Sequence, residues 1–146
     1  MVKLIEQRKT WDCSHACLAM WAKVPYDVVA IKAKSLDLYS EVLGDGEFKV
    51  LCQSFGINPF VIDQAYGRLE GTLILPSLNN PGGAHAVYLN DNSVYDPSCR
   101  KKYLRKFSPW PSCYQLAIDL NNDYGLEMAD EWLQYKQRIF DDGKPV

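Results

Sequence analysis

Gln7 and Cys13 stand six positions apart at the head of an apolar stretch that runs on to Met20. A cysteine that opens a helix meets partial positive charge and unpaired N–H groups, and both favour thiolate over thiol. A glutamine amide beside the cysteine's own N–H supplies two donors for a developing oxyanion. These residue types, in this order, can build a thiol nucleophile. The alternative is packing, because free cysteine is among the most buried residue types and behaves as a small hydrophobe. Cys17 fits packing: it lies four residues on, one turn deeper on the same face. Cys13 differs because it begins the apolar run.

A thiol nucleophile needs a base, and the chain has two histidines. His15 follows Cys13 by two residues, so on a helix the two side chains diverge by about 200°. It reads as a surface or capping residue. His85 follows the turn-forming run Asn79-Asn80-Pro81-Gly82-Gly83 and opens the apolar run Ala86-Val87-Tyr88-Leu89. A histidine rising from a glycine loop at a strand start can face a cleft, with Gly82, Gly83 and Ala84 beside it as substrate-binding candidates. Alternatively it is a strand-end histidine with a satisfied ring. A second short strand pattern, Ser93-Val94-Tyr95, ends at Asp96-Pro97. Asp96 can reach the far nitrogen of His85 and hold its tautomer; alone, an Asp-Pro pair simply starts a turn.

Gln7, Cys13, His85 and Asp96 occur in the chain order of papain-like cysteine peptidases. Asp12-Cys13 followed by Ala16-Cys17-Leu18-Ala19-Met20, then Leu73-Ile74-Leu75-Pro76, His85-Ala86-Val87-Tyr88-Leu89 and Val94-Tyr95-Asp96-Pro97, resemble in order the blocks of the bacteriocin-processing, double-glycine leader peptidase family. The likeness spans residues 1–120. It implies Cys13 as nucleophile, His85 as base, Asp96 as orienting acid and Gln7 as oxyanion donor. It also implies cleavage after a small residue such as glycine. Where that family has glycine after the nucleophile, this chain has Ser14, which would narrow the groove and bears on substrate choice. The family's peptidases usually precede a membrane transporter and its nucleotide-binding domain. This sequence has no Gly-Lys-Ser/Thr phosphate loop, so a stand-alone bacterial or phage accessory form is expected.

Composition suits a compact enzyme: 146 residues, 47 % apolar, 23 % charged, net charge −2. No basic footprint for nucleic acid stands out. Arg100, Lys101, Lys102, Arg105 and Lys106 form a local cluster, read as a solvated face or a rim selecting acidic substrates. No stretch approaches the roughly 20 apolar residues of a membrane span, and no secretory h-region is present. Five cysteines without framework spacing point to a reducing cytoplasm. Cys-x-His-x-Cys is not a usual zinc ligand set, so neither metal nor other cofactor is expected.

Periodicity predicts helices over 12–23, 26–33 and 47–55, then strands near 58–62, 72–76, 85–90, 92–96 and 114–120. Leu126 to Phe140 reads as a helix with Ala129, Trp132, Leu133, Ile139 and Phe140 on one stripe, packed on the domain or serving as a dimer contact or docking element. Helices first and hairpin-spaced strands after make an α+β fold with an antiparallel sheet. The resemblance makes it papain-like, with the nucleophile helix packed on that sheet. Residues 1–120 would form the peptidase domain and 121–146 an extension with a polar tail. The expected partner is a polypeptide substrate, plausibly with a glycine-ended segment. Acyl transfer or deamidation by the same thiol, or an inactive scaffold that only binds, are the competing functions.

Overall fold

The structure is a computed structural model that describes residues 3–62, 69–76, 84–91, 93–98, 101–104 and 115–141. Three helices come first: α1 (Cys13–Ala22), α2 (Tyr26–Ser35) and α3 (Asp45–Gln53). Six strands follow, β1 (Pro59–Ile62), β2 (Leu69–Pro76), β3 (Ala84–Asp91), β4 (Ser93–Asp96), β5 (Lys101–Leu104) and β6 (Gln115–Asp119), and α4 (Asp123–Asp141) ends the order. The class is α+β, as the pattern of helices before strands indicated. All strand pairs are antiparallel, in the order β1-β6-β2-β3-β4-β5.

α1 is apolar nearly all round, and eight of its ten residues are buried. Such a helix belongs at the centre of a fold. It stops because Lys23 turns left-handed at φ 59° and the Val24 N–H bonds back to Ala19, 3.1 Å away. Pro25 then starts α2, whose buried residues Tyr26, Val29, Ala30 and Ala33 follow helical spacing. α3 begins two residues before Glu47, the start read from the sequence. The Glu47 carboxylate accepts the Gly44 N–H at 2.9 Å and so caps the start of the helix. Gly56, at φ 78°, closes it.

The sheet is covered on both faces. Cys17, Leu18, Met20 and Trp21 of α1 pack with Ala86, Tyr88, Tyr95 and Ala117. Val87, Leu89, Val94, Leu116 and Ile118 pack with Met128, Ala129 and Trp132 of α4. This explains why β3 reads as a continuous apolar run rather than an alternating one. At Gly71, where β2 crosses β6, an added Cβ would lie 2.0 Å from the Ala117 carbonyl oxygen, so no side chain fits there. α4 is capped by Asn122, whose Oδ1 accepts the Tyr124 N–H at 2.9 Å and the Gly125 N–H at 3.2 Å. Its buried stripe is Gly125, Met128, Ala129 and Trp132, at i, i+3, i+4 and i+7. Leu133, read onto that stripe from the sequence, is 53 % exposed, and the Ile139 and Phe140 side chains lie outside the described residues. β5 was not foreseen: its sequence Lys-Lys-Tyr-Leu is the middle of the basic cluster and offers no apolar alternation. Among the described residues no helix is long and apolar enough to cross a membrane.

Candidate active site

The N-terminal loop reaches the sheet before α1 starts. The Gln7 N–H donates to the Pro97 carbonyl at 3.0 Å, which ties residue 7 to the turn after β4. The buried Asp12 carboxylate accepts the N–H groups of Arg8 (3.2 Å) and Lys9 (2.9 Å) and the Tyr26 hydroxyl. One carboxylate thus folds residues 8–12 back on themselves and fastens them to α2. That loop fixes the approach to Cys13, the first residue of α1.

His85 and Asp96 come from adjacent strands. The β3–β4 register runs Tyr88↔Tyr95, Leu89↔Val94 and Asn90↔Ser93, around a hairpin where Asp91 takes φ 58°. That short turn fixes how far β4 returns along β3. His85 Nε2 lies 2.8 Å from Asp96 Oδ1. α1 packs on β3, which brings Cys13 close enough to His85 for the ring, with the Ala86 and Ser14 N–H groups, to favour its ionised form. With Nε2 facing Asp96, Nδ1 is the nitrogen left for the thiol.

The electrostatics follow this geometry. Burial opposes ionisation of Cys13. The His85 hydrogen bond, the Ala86 N–H, the His85 charge and the Ser14 N–H outweigh it, and the thiol pKa is lowered. Burial also opposes the imidazolium, but Asp96 and Cys13 raise His85 to about 9. Asp96 is held at about 2 despite burial, chiefly by His85 and then by the Ser98 N–H and hydroxyl. Both shifts run in the direction that favours a thiolate beside an imidazolium. Burial drives the other two described thiols, Cys17 and Cys52, the opposite way. Cys17 is fully buried in the core, as its spacing suggested.

Of the residues singled out by sequence, Cys13, His85 and Asp96 converge. Gln7 sits next to the Asp96-Pro97 turn, its Nε2 donating to the Lys9 carbonyl at 2.7 Å. Ser14 is half-buried beside Cys13, and Ala84 opens β3. Gly82, Gly83, Cys99 and Cys113 lie outside the described residues. His15 requires a correction. It is fully buried, not a surface or capping residue, with Nε2 2.8 Å from the Leu38 carbonyl and edge contacts to Trp11 and Tyr39. The helix does turn it away from Cys13, but the loop after α2 covers that side. Two contributors escaped sequence reading, Asp12 and Ser98. An acid just before a helix start and a serine two residues after an aspartate are both common turn devices; neither signals which partner it serves. Among the described residues no three histidine, cysteine, aspartate or glutamate side chains converge as a metal-holding group.

No protein-family model and no curated protein sequence matches the chain. Its fold is similar to the crystal structure of a double glycine motif protease from an AMS/PCAT transporter, solved in complex with the leader peptide. The match covers 82 % of this chain and 92 % of that one, with a TM-score of 0.52 and 18 % sequence identity. At that identity the likeness is one of fold: an α+β architecture shared with that protease.

Proposed function

We propose that the protein is a cysteine peptidase that cleaves a peptide or isopeptide bond with Cys13 as nucleophile, His85 as acid–base and Asp96 as the group that orients His85. One observation carries this reading: His85 lies 2.8 Å from the buried Asp96 carboxylate and interacts with Cys13, the thiol among the described residues whose pKa is lowered, while its own is raised, so that each moves towards its charged form. In the first step the Cys13 thiolate attacks the carbonyl carbon. The oxyanion takes the Cys13 N–H and the second amide hydrogen of Gln7. The His85 imidazolium then protonates the leaving amine, which departs and leaves a thioester. Neutral His85 next takes a proton from water, whose oxygen attacks the thioester and releases the carboxylate and Cys13. Asp96 stays ionised throughout and steadies the imidazolium.

The substrate is proposed to be a polypeptide with a small residue such as glycine on the acyl side. Ser14 beside Cys13, with Gly82, Gly83 and Ala84 as the other substrate-binding residues of this reading, would bound a groove that admits backbone and excludes bulk. Residues 1–120 would carry this activity, and 121–146 would extend it. Free thiols suit a reducing compartment, so a cytoplasmic setting is proposed. Peptide-library profiling tests the specificity: the expected result is cleavage after Gly-Gly or Gly-Ala sequences. A demand for a large aromatic or basic residue there would remove the narrow groove. Iodoacetamide labelling near neutral pH tests the nucleophile, with Cys13 expected to react ahead of Cys17, Cys52, Cys99 and Cys113.

A further inference from the structure

Asp96 Oδ1 accepts three hydrogen bonds: His85 Nε2 at 2.8 Å, the Ser98 N–H at 2.9 Å and the Ser98 hydroxyl at 2.7 Å. The N–H bond belongs to the turn and would survive any side chain at position 98. The hydroxyl bond would not, and it is the shortest of the three. Counting on from the pair Tyr88↔Tyr95, position 98 falls across from His85, and Ser98 Oγ lies 3.4 Å from His85 Nε2. Oxygen, carboxylate and ring nitrogen thus form a closed triangle. Ser98 itself is exposed while Asp96 is 4 % exposed, so the serine stands between the carboxylate and water.

We propose that Ser98 is a positioning residue of this site, whose hydroxyl holds the Asp96 carboxylate in the rotation that serves His85. The proposal rests on reading Cys13, His85 and Asp96 as the reacting group. A hydroxyl has one proton to give, and Ser98 gives it to Oδ1. That leaves its lone pairs towards the His85 N–H, where at 3.4 Å they add a weak second acceptor. Both effects favour the imidazolium, and through it the Cys13 thiolate. Among the described residues the ionisable groups that act on His85 are Cys13 from α1 and Asp96 from β4. Cys17 lies within electrostatic reach of Asp96, and Lys101 sits opposite Asp96 in the β4–β5 register. Replacing Ser98 by alanine leaves all of them in place, so a changed titration reports the hydroxyl alone.

The test uses the full chain and two probes that need no substrate: the pH dependence of Cys13 alkylation by iodoacetamide, and the titration of His85 followed by NMR of its labelled ring. Ser98→Ala should fold normally, lower Cys13 alkylation at pH 6 by about three- to tenfold, and move the His85 midpoint down. Ser98→Thr should restore both. Wild-type profiles in Ser98→Ala would overturn the proposal, as would failure of a folded Ser98→Thr to restore them. If Cys13 of the unmodified protein shows no preferential alkylation, the peptidase reading fails by itself, and the His85 midpoint still judges Ser98.

Discussion

The two histidines of this chain make the same bond to different partners. Each places Nε2 at 2.8 Å from an oxygen, His85 against the Asp96 carboxylate and His15 against the Leu38 carbonyl. Both rings are largely removed from water, and burial pushes both towards the neutral form. For His15 burial prevails, because a neutral carbonyl and the more distant Asp12 charge return too little, and its pKa is lowered. For His85 a full negative charge and an ionisable thiol reverse the outcome, and it rises to about 9. The identity of the acceptor, not the depth of burial, separates a histidine held neutral from one held charged.

The comparison breaks most sharply at turnover. His85→Ala should lower peptide cleavage by about three orders of magnitude or more, since it removes both the imidazolium partner of the thiolate and the proton donor. His15→Ala should leave most of the activity of each folded molecule. Steady-state cleavage assays, normalised by circular dichroism for folded protein, decide it; the reverse ranking would mean that the wrong histidine has been put to work.

Asp96→Asn comes next. The amide keeps the shape of the turn but cannot offset the imidazolium charge, and it can hold the wrong tautomer. A loss of about 10²- to 10⁴-fold in kcat is expected in protein that still folds, with a lowered melting temperature because the charge opposite His85 is gone. Near wild-type kcat would reduce Asp96 to a turn former and draw His85 closer in kind to His15.

The contrast also marks how far the sequence could be read. Cys13 was legible because a helix start has a physical signature, and His85 because a glycine-rich turn before an apolar run marks a strand start. Asp96 had two readings, turn former and histidine partner, and the structure unites them: one oxygen accepts both the Ser98 N–H and the imidazole. His15 was misread because helical geometry says which way a side chain points but not what covers that side. Tyr39 and Leu38, more than twenty residues away in the chain, do the covering. β5 was missed for the converse reason: pairing with β4 makes it a strand, and its own residues do not announce it.

A smaller effect should appear in stability. His15 packs between Trp11 and Tyr39, beside the Tyr26–Tyr39 hydroxyl pair that backs Asp12. His15→Ala removes a fully buried ring and leaves the Leu38 carbonyl without its donor. A cost of about 2–4 kcal/mol is expected in urea unfolding. A change below about 0.5 kcal/mol would show that the aromatic cluster closes over the gap unaided.

The smallest effect is the difference between the two histidines in the pH dependence of stability. The His85 pKa is raised above its unfolded value of 6.5, so its contribution is complete below pH 6.5 and is lost as pH rises towards 9. The His15 pKa is depressed, so the unfolded chain binds more protons just below pH 6.5 and stability falls as the solution becomes more acid. Asp96, held at about 2, adds a further loss between its ordinary 3.8 and about 2. Each proton contributes a slope of at most about 1.4 kcal/mol per pH unit. The lowered Cys13 thiol acts in the opposite sense below its ordinary 9.0 and offsets the His85 slope, so in a Cys13→Ala background His85→Gln should flatten the stability curve from pH 6.5 upward, and His15→Gln should flatten it just below 6.5, where a glutamine amide can still donate to Leu38. Urea midpoints taken every half pH unit would resolve the two windows. If both variants flattened the same side, the carboxylate would not be what divides the histidines, and the thiolate–imidazolium pair would lose its electrostatic basis.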